Sequence, residues 1–190
     1  MSETLEGTTV AALVAPRGTE SVEFTEPRDA LEAAGATVEV VGPETGEVQT
    51  VENDLEPAET VEVERAVADT LAADYDAVLV PGGTVGADEL RADGDAVAFV
   101  REAFETGTPI GVICHGPWTL VEADVVEDLT LTSYPSLQTD VRNAGGEWVD
   151  EEVVVDAGVV TSRNPGDLEA FCEGIVETFA EGEVDRSALA

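Results

Sequence analysis

The stretch PIGVICHGPW, residues 109–118, sets one of two cysteines beside the only histidine of the chain. A thiol next to an imidazole suits nucleophilic catalysis. The thiolate is the attacking species, and histidine is the side chain that titrates near neutral pH. TPIGVIC, 108–114, reads as a buried strand, and HGPWTLVEA, 115–123, as a helix whose first turn holds Pro117. Cys114 then stands where a strand turns abruptly into a helix. Open α/β sheets bind ligands at that edge, and such a turn pushes a nucleophile clear of the sheet. The helix start aims unpaired N–H groups and a partial positive charge at the sulfur, which favours thiolate over thiol. Against this, a free cysteine is often a small buried hydrophobe. His115 also fits a supporting or interface role, since neighbours in a turn need not point the same way. No metal site is indicated, because zinc takes three or four ligands and this pair supplies two.

Cys172 offers a comparison within the chain. It lies on the stripe Leu168, Phe171, Cys172, Ile175, Val176, Phe179, spaced for one face of a helix, and reads as core packing. Free thiols are expected rather than a Cys114–Cys172 bridge. DYDAVLVPGG, 74–83, is a strand running into Gly82 and Gly83. Without side chains, their N–H groups can approach a ligand closely.

The elements that would position these residues alternate along the chain. TVAALVAP (9–16) and ATVEVVGP (36–43) read as strands flanking the helix SVEFTEPRDALEAAG (21–35), with Pro27 early in that helix. Residues 44–63 alternate valine with polar residues and suggest short edge strands or loop. GDAVAFVREAFETG (94–107) is a helix, DLTLTSYP (128–135) a strand and SLQTDVRNAGG (136–146) a helix. EWVDEEVVVDAGVVTS (147–162) gives short strands with a hairpin turn at Asp156–Ala157–Gly158, and 166–182 forms the last helix. Such alternation implies an α/β layer fold with a mainly parallel sheet and a small antiparallel hairpin. The length suits a single domain over 1–190, with 1–7 and 182–190 as loose ends.

Composition narrows the function classes. The chain carries 42 Asp and Glu against 8 Lys and Arg, a net charge of −34, while 43% of residues are hydrophobic. All eight basic residues are arginines. The acids are spread between apolar residues along the whole chain rather than clustered in a tail or module. That pattern suits a protein working in concentrated salt, where the Debye length falls to about 3 Å and self-repulsion is screened. Phosphate binding needs a basic patch, so nucleic acid and anionic membrane surfaces are not expected partners. No apolar run approaches the roughly 18 residues of a membrane span. MSETLEGTTV at the start has no secretion signal, so a cytoplasmic place in a high-salt cell is expected.

PGG (81–83), AVAFVREAF, GVICHGPWTL and LTSYPSLQTDVRNAGGEWVDEEVVVDAGVVTSRNPGDLEAF resemble the PfpI branch of the ThiJ/PfpI superfamily, the class I glutamine amidotransferase-like proteins. The resemblance runs from about Val10 to Phe179. It implies a flavodoxin-like three-layer sandwich. SVEFTEP, 21–27, resembles the family segment whose glutamate contacts the reactive cysteine, and by distance to the proline that glutamate is Glu23. A carboxyl buried beside a thiolate has its pKa raised, keeps its proton and can donate a hydrogen bond to sulfur. The resemblance also implies that N–H groups near Gly83 and near the cysteine hold an oxyanion. It implies an acid partner for His115 from a neighbouring subunit. Asp88 is the candidate and Glu89 the fallback, in a stretch, TVGADELR, one residue longer than the family pattern. A homodimer or hexamer follows from that.

The activity implied is cofactor-free cysteine chemistry on reactive aldehydes or their protein adducts, of glyoxalase or deglycase type. The alternatives are an intracellular cysteine peptidase and a non-enzymatic redox-sensing chaperone, with glycated or unfolded protein as partners. Glutamine amidotransfer is disfavoured, because no histidine follows residue 115.

Overall fold

Short runs of valine, alanine, leucine and isoleucine form the central strands, because both faces of the sheet are covered. The computed structural model describes residues 4–187. The chain begins with β1 (Thr9–Leu13), β2 (Arg17–Glu20), α1 (Ser21–Ala33) and β3 (Thr37–Gly42). β4 (Gly46–Glu52), β5 (Glu56–Val63), β6 (Arg65–Ala66) and β7 (Ala77–Val80) follow. Next come α2 (Thr84–Ala92), α3 (Gly94–Glu105), β8 (Ile110–Ile113) and α4 (Pro117–Glu122). The chain continues through β9 (Thr130–Leu131), α5 (Gln138–Asn143) and β10 (Glu147–Trp148). β11 (Val153–Asp156), β12 (Val159–Ser162) and α6 (Leu168–Glu181) complete it.

Seven strands make the main sheet in the order β11-β12-β8-β7-β1-β3-β6, parallel except for the β11–β12 hairpin. Alternation along β1 sorts the core into two layers. Ala11 and Leu13 join Leu90, Phe99, Val100 and Leu120 on one face of the sheet. Val10 and Ala12 join Phe24, Leu31, Phe171 and Ile175 of α1 and α6 on the other. The result is a three-layer, flavodoxin-like sandwich with a mainly parallel sheet. At the expected hairpin turn Ala157 and Gly158 have φ of 47° and 74°, the left-handed pair a tight two-residue turn requires.

Several segments depart from expectation. Residues 46–63 are a full antiparallel hairpin, β4–β5, extended into a second sheet by β2 in parallel. α2 was not anticipated. Pro27 lies in the interior of α1 rather than near its start, and it offers no N–H to the Glu23 carbonyl four residues back. The expected strand at 128–135 shrinks to Thr130–Leu131. Beyond it the chain turns so that the Tyr134 N–H reaches the Cys114 carbonyl at 2.7 Å.

Both ends expected to be loose are tied down where described. Leu5 is buried and donates its N–H to Ala34 O at 2.8 Å. The Val184 N–H donates to Gly107 O at 2.9 Å. The Arg186 guanidinium donates to the carbonyls of Ala157, Phe104 and Thr108 at 2.7, 2.5 and 3.1 Å, a use of its planar fork that leaves the tail little freedom. Residues 1–3 and 188–190 lie outside the described residues. Cys172 is half-buried in a groove between α1 and α6 rather than sealed in the core, since the apolar stripe of α6 is wider than the face it packs.

Candidate active site

Strands β7 and β8 are neighbours, and the turns that leave their carboxyl ends meet. One carries Gly82 and Gly83 into α2; the other carries Cys114 and His115 into α4. Cys114 has φ of 63°, left-handed for a residue with a side chain, which costs roughly 1–3 kcal/mol. Its backbone is held from both sides. The Cys114 N–H donates to Ser162 O at 3.0 Å, and its carbonyl accepts from the Tyr134 N–H. This turn pushes the sulfur out of the sheet toward Glu23.

Glu23, on the first turn of α1, is fully buried. Neither carboxyl oxygen makes a hydrogen bond of good geometry, yet the groups facing them are the Cys114 thiol and the Gly82 N–H. A β-carbon added at Gly82 would stand 2.6 Å from Cys114 Cβ and 2.8 Å from Ile113 O, and would collide with the Glu23 carboxyl. Only glycine lets the three meet. Burial pushes the Glu23 carboxyl up from 4.5 to about 8, opposed by contact with Cys114. At neutral pH it therefore keeps its proton and is a donor toward sulfur.

Burial also pushes the Cys114 thiol up, and an ionised Glu23 would push it further. The expectation of a thiol depressed by the helix start thus meets an opposing force, because Cys114 is only 6% exposed. The Gly83 and His115 N–H groups, both within hydrogen-bonding reach of the sulfur, pull the other way. With Glu23 protonated, the repulsion is absent and three donors converge on one atom. Cys172 has no such support: burial and the Glu26 charge raise its thiol to about 11.

His115 points back at its neighbour, with Nδ1 3.2 Å from Cys114 Sγ. Its ring stacks on Tyr134, centroids 4.5 Å apart, and tilts against Trp118 at 5.3 Å. Nε2 lies 3.4 Å from Thr84 Oγ1 and 3.4 Å from Ser136 Oγ. Behind Thr84 stands Asp54, from the tip of the β4–β5 hairpin. Its carboxylate accepts the Thr84 N–H at 2.6 Å and the hydroxyl at 3.1 Å. Burial lowers the His115 imidazole below 6.5, partly countered by the Asp54 charge.

The structure brings Cys114, His115, Glu23, Gly82 and Gly83 together. It does not bring Asp88 to them within the chain: Asp88 lies exposed on α2, 3.8 Å from Arg91. Glu89 is 2.5 Å from Arg17. Sequence reasoning missed Asp54, Thr84, Tyr134 and Ser136. Thr84 follows Gly83 directly, and Tyr134 and Ser136 lie in the SYPS segment, so those three had a positional signal. Asp54 had none.

The fold and site together are a three-layer α/β sandwich with a left-handed cysteine at a strand end, faced by a buried acid. Residues 8–178 match the DJ-1/PfpI family, and the chain belongs to it. It is 40% identical over 152 residues to "Putative cysteine protease YraA" of Bacillus subtilis (strain 168), covering 80% of this chain and 87% of that one. It is 40% identical over 153 residues to protein/nucleic acid deglycase 2 of Escherichia coli (strain K12), with the same coverage of 80% and 87%. The crystal structure of Drosophila melanogaster DJ-1beta shares 31% identity and superposes with a TM-score of 0.81, over 91% of this chain and 90% of that one. Among the described residues no helix is long and apolar enough to cross a membrane.

Proposed function

We propose that this chain is a cysteine-dependent enzyme acting on reactive 2-oxoaldehydes such as methylglyoxal, or on their early adducts with proteins. The observation that carries the reading is the fully buried Glu23 carboxyl facing Cys114 across Gly82, with the Gly83 and His115 N–H groups on the same sulfur. The thiol loses its proton to His115, whose Nδ1 lies 3.2 Å away, and its sulfur forms a C–S bond to the aldehyde carbon. The proton passes to the carbonyl oxygen, giving a hemithioacetal. A base, His115 or Glu23 once it is ionised, then moves a proton from that carbon to its neighbour, while the hydroxyl proton passes to the neighbouring oxygen, leaving a 2-hydroxy thioester. Water cleaves the thioester to a 2-hydroxy acid and restores the thiol. The two N–H donors favour the oxyanion at each stage, by roughly 3 kcal/mol per donor in comparable sites.

Enclosure supports a small substrate. Cys114 and His115 are 6% and 4% exposed, so an aldehyde, or the tip of a long modified side chain, reaches the sulfur more readily than an extended peptide. The name of YraA favours the peptidase alternative. That reading needs a well-placed general acid for the leaving amine, with an acidic side chain in reach of His115, and within the chain His115 Nε2 faces hydroxyls rather than a carboxylate. The name of deglycase 2 includes nucleic acid. A net charge of −34 favours small aldehydes and proteins over polyanions here.

The test compares wild type, Cys114→Ser and Cys172→Ser in molar KCl on methylglyoxal, a glycated peptide and an unfolded protein. Turnover of the first two substrates is expected, and only Cys114→Ser should abolish it. Equal loss in Cys172→Ser, or turnover of the unfolded protein alone, overturns the reading.

A further inference from the structure

We propose that Asp54, acting through Thr84, sets the tautomer of His115 so that its Nδ1 presents a lone pair to the Cys114 thiol and takes its proton. An acid that acts on the histidine then comes from the β4–β5 hairpin of the same chain. The proposal deepens the reading above and rests on it in taking Cys114 as the reacting group.

The hydrogen bonds dictate the direction. An ionised carboxylate only accepts. Asp54 Oδ1 takes the Thr84 N–H at 2.6 Å, and Oδ2 lies 3.1 Å from Thr84 Oγ1. A hydroxyl has one proton, and the carboxylate is the stronger acceptor for it. Thr84 Oγ1 therefore turns a lone pair to His115 Nε2, 3.4 Å away, and Nε2 must carry the ring hydrogen. A neutral imidazole has one such hydrogen, so Nδ1 is left bare, 3.2 Å from Cys114 Sγ. Ser136 Oγ, also 3.4 Å from Nε2, can donate or accept and follows whichever form the ring holds. Tyr134 and Trp118 cover the ring, and Arg91 lies over Trp118, 5.0 Å from its centroid. Among the described residues Asp54 is the carboxylate whose charge acts on the ring.

The hairpin tip is itself held. Asn53 and Asp54 have left-handed φ of 53° and 64°, which turns both N–H groups onto the Glu20 carboxylate at 2.8 and 2.9 Å. Proton transfer then balances. The thiol proton moves to Nδ1, sulfur becomes a thiolate, and the imidazolium carries N–H on both nitrogens. Its Nε2–H points along Thr84 toward the Asp54 charge. The Nδ1 proton returns to the substrate oxygen when the C–S bond forms. Asp54 and Thr84 are positioning residues, since neither touches sulfur.

One histidine gives one pair of imidazole 15N resonances, so the tautomer can be read directly. In wild type near neutral pH and molar KCl the Nε2–H form is expected. In Asp54→Asn the new amide donates to Thr84 Oγ1 and frees its hydroxyl proton for Nε2, so the signal should switch to Nδ1–H. Thr84→Ser should keep the wild-type pattern. In a Cys172→Ser background, iodoacetamide alkylation of Cys114 should slow at least roughly tenfold in Asp54→Asn, as loss of an oriented base requires. Thr84→Val removes the hydroxyl without altering the hairpin and should slow it equally. Nδ1–H in wild type, or one tautomer throughout the series, overturns the proposal. A tautomer switch in a protein without aldehyde turnover keeps the relay and overturns the functional reading. Turnover that depends on Cys114 without the switch does the reverse.

Discussion

Glu23 ties the chemistry to stability. Its carboxyl titrates at 4.5 ordinarily and at about 8 in the fold, chiefly through burial. Between those values the folded state holds one proton more than the unfolded chain. Stability from this group therefore falls as pH rises, by roughly 1.4 kcal/mol per unit, the reverse of an ordinary paired carboxylate. Glu23→Gln cannot ionise. Urea unfolding in molar KCl at a series of pH values from 5 to 8 should show wild type losing stability relative to the variant at each step. A constant difference between the two would mean that the carboxyl is not held protonated. Cys114 and His115 were legible as the one adjacent Cys–His pair of the chain. Glu23 was not, being one acid among 42, and only resemblance singled it out. Asp54 was invisible because its role depends on a tertiary contact between a hairpin tip and the start of α2.

The β4–β5 hairpin is the element that sequence read least well and the site needs most. Its valines alternate, but with a partly solvated face and no long apolar run the pattern did not separate strand from loop. α2 was missed for a related reason: TVGADELRA carries a glycine and few apolar residues, and its burial comes from packing against β2 and α4. The buried strands β1, β7 and β8 and the stripe of α6 were clear because covering decides them. The hairpin tip hangs on Glu20, which ends β2. Removing that acceptor leaves two left-handed residues unsupported, each costing roughly 1–3 kcal/mol. Glu20→Ala should raise hydrogen exchange at the Asn53 and Asp54 amides by at least about tenfold while the β7 and β8 amides stay protected. Unchanged protection at the tip would show that the hairpin, not Glu20, holds Asp54 in place.

At the scale of the whole molecule, charge is the least ordinary property. With 42 acids and 8 arginines, most carboxylates have no cation available to them. The ion pairs that do form are largely superficial: in Arg17–Glu89 the arginine side chain is 73% exposed. Such pairs contribute about 0–1 kcal/mol each and weaken in salt. If attraction dominated, added salt would destabilise the fold. With a net charge of −34, repulsion dominates, and screening should stabilise it. We therefore expect the melting temperature to climb steeply between about 0.1 M and 1 M KCl, as the Debye length falls from about 10 to 3 Å, and to flatten once screening is complete. Sucrose, which strengthens burial by exclusion without screening, should act weakly at the low-salt end. NaCl should match KCl, because screening depends on valence rather than ion identity. A melting temperature indifferent to KCl, or raised as much by sucrose as by salt, would mean that the acids are tolerated singly and that the fold does not depend on concentrated salt.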